Sequence, residues 1–192
     1  LVFALSFHEF AHAWMAFKCG DKTAARMGRL TMNPFAHLDM MGSMMILFVG
    51  FGWAKPVPVD SRFLINPRTD MMKIAAAGPI ANLLLALASG LLFRLLNPTG
   101  ILTEPMAILI YYFTRINITL AVFNLIPVAP LDGSQIFSGY LMKHNPQLAW
   151  KIQSFGPQVL FGLILFGYIT GFSILWFIMS PFVNFFMVLF AG

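Results

Sequence analysis

Long apolar stretches alternate with short polar ones along this chain, and their lengths predict a set of membrane helices. Residues 1–17 are almost wholly apolar and read as a helix, the end of a longer membrane span. Residues 18–39 are polar and mixed; within them "GRLTMNP" alternates weakly and predicts a short strand ending in a turn. Residues 40–54 are apolar but too short for a comfortable span, which suits a re-entrant or tilted segment. The prolines of "KPVPVD" exclude a helix or a central strand and suit an extended edge strand or a polyproline-like segment. Residues 71–96 and 105–127 are strong membrane helices, and 128–156 turn polar again. The last apolar stretch, 157–191, fits one long span or two with a break near "GYITGF".

Composition agrees with this pattern. Of 192 residues 59% are hydrophobic and 10% charged, and the mean hydropathy is +0.79. Soluble domains sit nearer half apolar and a quarter charged. The expected fold class is therefore a polytopic α-helical membrane protein, a bundle of about 4–6 membrane segments with a small membrane-associated β element. The net charge of +5 does not point to nucleic acid, because the positive residues lie between apolar segments, where membrane orientation accounts for them. Eight of the twelve Lys and Arg residues fall in 18–73. If 40–54 dips in and returns, that region is cytoplasmic and the loop 97–104 faces outside. The single cysteine, Cys19, excludes an intrachain disulfide.

One apolar stretch carries chemistry. "SFHEFAHAW" sets His8 and His12 four residues apart, one face of a helix, with Glu9 about 100° round from His8. Two imidazoles at that spacing can share a zinc ion, with the glutamate as general base. A glutamate left alone in hydrocarbon costs a few kcal/mol or more, so the cluster calls for an internal partner, which a cation supplies. Catalytic zinc takes three protein ligands. On residues alone the third could be Asp39, Asp132, His37 or His144; the topology returns helix 105–127 to the side on which the first helix ends and so favours Asp132 modestly.

Four motifs occur in order: "HEFAH", "GRLTMNPFAHLD", "AAAGPIANLLLA" and "FNLIPVAPLDG". Together, over roughly residues 1–140, the chain resembles the site-2 protease family of intramembrane zinc metalloproteases. It is similar to the short bacterial and archaeal members that lack an inserted PDZ domain. The resemblance implies one domain over 1–192, with a catalytic core of about 1–140 and C-terminal membrane segments in 157–191. It implies one Zn2+ per chain, held by His8, His12 and Asp132, with Glu9 as the base. Asn124 matches a family asparagine suited to the substrate carbonyl or oxyanion. Gly78, Pro79 and Asn82 match "GPxxN" and read as structural: close helix approach, a kink, and a hydrogen bond to the zinc-bearing helix. Lys55, Pro56, Val57, Pro58 and Val59 match part of the family's small sheet, whose edge could hold an extended substrate. The implied partners are the lipid bilayer and a transmembrane protein substrate, and the implied setting is a prokaryotic cell membrane with the site near its cytoplasmic side.

Two other classes would also place histidines and acids in a membrane. A metal transporter predicts a relay of polar residues along a path through the bilayer, and an inactive scaffold needs no intact base. The sequence shows one cluster and keeps Glu9. His37 and His144 read as loop residues and Asp39 as a turn residue. Arg115, midway along 105–127, needs a polar or wet partner inside the protein. "NIT" at Asn117 has the glycosylation pattern but lies within a membrane helix and is discounted.

Overall fold

A computed structural model describes residues 1–49 and 54–192. The chain divides into two compact units, Leu1–Gly78 and Pro79–Gly192.

The first unit is built on α1 (Val2–Lys18), α2 (Thr23–Arg26), α3 (Pro34–His37), α4 (Met40–Val49) and the start of α5 (Pro67–Leu96). α1 packs against α2 and α3. It ends at Cys19, and the chain reverses at Gly20, whose φ of +106° places it in the left-handed region that glycine enters without strain. Asp21 then ties two segments together from a fully buried position. Its Oδ1 accepts from the Thr23 N–H at 2.8 Å and starts α2, and its Oδ2 accepts from the Asp60 N–H at 2.7 Å. Asn33 caps α3 through its side chain and Asp39 caps α4 by accepting from the Gly42 N–H. Ala16, Cys19, Leu64 and Ile74 form a small apolar core, with Val59 packed on it.

The expected β element is not seen among the described residues. A single antiparallel bridge joins Leu38 to Ala54, and "GRLTMNP" and "KPVPVD" form no strand. Pro56 and Pro58 lack the N–H that a ladder needs, and the Thr31 hydroxyl turns the chain by accepting from the Asn33 N–H. Of the expected segment 40–54, residues 40–49 are the helix α4; residues 50–53 lie outside the described residues.

The second unit holds most of α5, then α6 (Glu104–Asn124), α7 (Asp132–Leu141), α8 (Pro146–Thr170) and α9 (Ile174–Ala191). α6 packs on α9, and α7 on α8. Ile118, Leu160, Met179 and Val183 lie in its core. Gly90 lets α9 come close: a Cβ there would fall 2.7 Å from the Phe190 Cβ. The final apolar stretch is two helices. α8 ends at Gly171, in the left-handed conformation at φ +72°, and Ser173 caps α9 by accepting from the Trp176 N–H.

Four helices among the described residues are long and apolar enough to cross a membrane: Pro67–Thr99, Glu104–Asn124, Pro146–Thr170 and Ile174–Ala191. Their outer faces carry large apolar side chains, such as Leu109 at 70% and Phe177 at 67% exposure, which suit lipid.

Candidate metal centre

α1 places three functional side chains on two neighbouring faces. His8 and His12 are buried at 4% and 8% exposure, and their Nε2 atoms lie 2.9 Å apart. Two zinc–nitrogen bonds of about 2.1 Å at a tetrahedral angle would separate their nitrogens by about 3.4 Å, so the pair is near chelating geometry. The Nδ1–H of His12 donates to the Ile74 carbonyl at 2.7 Å. A carbonyl only accepts, so this bond fixes the proton on Nδ1 and leaves the Nε2 lone pair facing His8. A backbone carbonyl behind a ligating imidazole is the usual means of orienting it. The donor set of two buried imidazole nitrogens fits zinc.

Gly78, in α5, makes the space for this pair. A Cβ at that position would overlap His12 Nε2 and would lie 2.6 Å from Cε1 of both histidines. Glycine is required here by close approach, because the φ of Gly78 is ordinary for a helix. Glu9, half-buried, receives a hydrogen bond at 3.2 Å from the Val57 N–H. Thus unit one brings together His8, Glu9, His12, Gly78 and the run Lys55–Val59.

The remaining candidates belong to the second unit. Pro79 is fully buried inside α5. Asn82, also fully buried, donates through Nδ2 to Asn117 Oδ1 on α6 at 2.9 Å. Asn124, the last residue of α6, donates through Nδ2 to the Leu120 carbonyl at 3.0 Å. Asp132 is the first residue of α7, after a loop that contains the cis Ala129–Pro130 bond. Gly133 brings the start of α7 hard against the preceding turn, where a Cβ would sit 2.5 Å from the Ile126 carbonyl oxygen.

Several residues have roles that their sequence context hid. His37, expected in a loop, is buried at the end of α3 and contacts Thr31 and Arg29. Arg29 is itself buried and bonds the Lys55 and Pro56 carbonyls. Neither carbonyl has a signature in sequence, so the pairing was not legible. Asn117, whose "NIT" glycosylation pattern was discounted and given no other role, lies fully buried against Asn82. Arg115 lies 5.8 Å over the Trp176 ring. His144 is exposed in a turn and stacks on Tyr140. Beyond the Lys55–Val59 run, the Arg62 side chain hydrogen-bonds Asp60 and holds its carboxyl down at about 2.

Long apolar helices, and a buried, oriented imidazole pair beside a glutamate, are the elements that a membrane metalloprotease requires. The chain belongs to peptidase family M50, the site-2 proteases, whose family model matches residues 1–107 and 100–167. It is 38% identical over 183 residues to a Bacillus subtilis protein named "Putative zinc metalloprotease YwhC", covering 92% of this chain and 82% of that one. It is 28% identical over 173 residues to "Putative zinc metalloprotease Rip2" of Mycobacterium tuberculosis, covering 85% of this chain and 63% of that one. No solved structure matches the chain at a significant level.

Proposed function

We propose that this protein is an intramembrane zinc metalloprotease that hydrolyses peptide bonds within or near a transmembrane segment of another protein, as a step of regulated proteolysis. The observation that carries the reading is the His8–His12 pair, buried, oriented by the Ile74 carbonyl and given room by Gly78, with Glu9 beside it. His8, His12 and Asp132 hold one zinc per chain. When bound, zinc polarises the scissile carbonyl and lowers the pKa of water towards neutrality. Glu9 takes the proton of the attacking water and delivers it to the leaving amine. The second N–H of the Asn124 amide is left for the developing oxyanion, its first being used on Leu120.

The run Lys55–Val59 aligns the substrate in an extended conformation. Helical substrate must first unwind, so Gly, Pro or Asn near the cut favours cleavage. The whole chain works as one domain in a prokaryotic cell membrane, its site near the cytoplasmic face, where the basic region 18–73 lies. The test is cleavage of a model transmembrane substrate by the purified protein in detergent, for wild type and Glu9→Gln. Loss of cleavage with zinc retained supports the reading. Equal cleavage by Glu9→Gln would refute the assigned base.

A further inference from the structure

We infer that Arg29 is a positioning residue for the general base, acting on Glu9 through the backbone of Lys55–Val57. This rests on the proteolytic reading above. The chain of contacts lies wholly within the first unit. Gly28, in the left-handed region at φ +69°, turns the chain after α2, and the Arg29 N–H donates back to the Ala24 carbonyl at 2.8 Å. The Arg29 side chain is then buried, at 6% exposure. Its Nη2 donates to the Lys55 carbonyl, and lies 3.4 Å from the Pro56 carbonyl and 3.5 Å from His37 Nδ1.

His37 is set for this by its other nitrogen. Nε2 sits 2.7 Å from the Thr31 carbonyl, which only accepts, so the proton is on Nε2 and Nδ1 is left to accept from Arg29. The His37 carbonyl in turn accepts from the Lys55 N–H at 2.8 Å. The backbone at Lys55 is thus held from both its carbonyl and its N–H side.

The proline pattern gives the clamp its purpose. Pro56 and Pro58 carry no N–H, so between Lys55 and Val59 only Val57 has one, and that N–H donates to Glu9 Oε2 at 3.2 Å. A buried guanidinium is costly to place, and because Nε is buried without a hydrogen-bond partner, the compensation rests on the Nη2 contacts to these carbonyls. Fixing the carbonyls of residues 55 and 56 fixes the peptide plane that carries the Val57 N–H. The carboxylate is then held in one rotamer at the metal centre.

Two readouts test this. Hydrogen exchange of a peptide covering residues 55–58 reports the Val57 amide without catalysis; steady-state cleavage of a model transmembrane substrate reports kcat and KM. In Arg29→Gln the Val57 amide should exchange at least about tenfold faster, and kcat should fall by about 10- to 100-fold with KM within about twofold and zinc content unchanged. Val57→Pro, which deletes the N–H, should fall well below Val57→Ala in kcat. The double variant Arg29→Gln/Val57→Pro should be little worse than Val57→Pro alone, since both remove one contact. A kcat for Arg29→Gln within twofold of wild type, a loss confined to KM, or undiminished protection of Val57 would overturn the inference. Absence of wild-type cleavage, with Val57 protection still lost in Arg29→Gln, would overturn the proteolytic reading and leave the clamp standing.

Discussion

The two units use different physics. The first is tied by side chains that bond distant backbone: Glu9 to Val57, His12 to Ile74, Asp21 to Asp60, Arg29 to Lys55 and Pro56. Apart from α1 and the start of α5 its helices are short, and its apolar core is small. The second is a set of long helices with a larger apolar core, and its buried polar contacts run from helix to helix, as in Asn82 to Asn117 and Ser89 to Thr114. In a membrane, apolar packing alone orients helices but cannot aim a carboxylate. Aiming it takes directed hydrogen bonds, and these concentrate where the chemistry lies. Changes to these directed contacts of the first unit should therefore cost activity, and changes in the second, away from Asn124 and Asp132, should cost stability.

The largest expected effect is His12→Ala in the first unit. It should abolish cleavage and lower zinc to well below one per chain, read by elemental analysis of the folded protein. Gly78→Ala comes next. Its methyl meets both imidazoles, and a displacement of this kind costs on the order of 100-fold in kcat. Wild-type turnover in Gly78→Ala would break the link between that glycine and the histidine pair.

In the second unit the comparison predicts stability losses. Gly90→Ala would press a methyl on Phe190 and should destabilise by about 1–3 kcal/mol, measured by unfolding in mixed micelles. Asn82→Leu strips Asn117 of a buried partner and should cost about 1–2 kcal/mol by the same assay, with the remaining folded fraction still binding zinc. The smallest effect is Arg115→Ala, which loses the Trp176 contact for about 0.5–1 kcal/mol. If Arg115→Ala instead abolished turnover at unchanged stability, the division of roles between the units would fail.

Much of this was legible in the sequence because it rests on period and motif. Apolar runs predicted the helices α5 and α6 to within a few residues, since nothing local opposes them. The four-residue spacing predicted that His8 and His12 share a face, a property of any helix. The break in 157–191 was left open, although Gly171 followed by Ser173 is a C-terminal and then an N-terminal signal. The expected strands are not seen among the described residues, because proline removes donors and local turns compete with pairing. The Arg29 contacts were out of reach for another reason. Those to Lys55 and Pro56 end on carbonyls, every residue has one, and only the folded path decides which carbonyl is met.

The most direct test pairs zinc content with turnover. Wild type and Glu9→Gln are purified in detergent, zinc is counted in each, and both are given a model transmembrane substrate. The account predicts about one zinc per chain in both proteins and cleavage by the wild type alone. A folded wild type without zinc, or a Glu9→Gln variant that cleaves as fast as wild type, would contradict it.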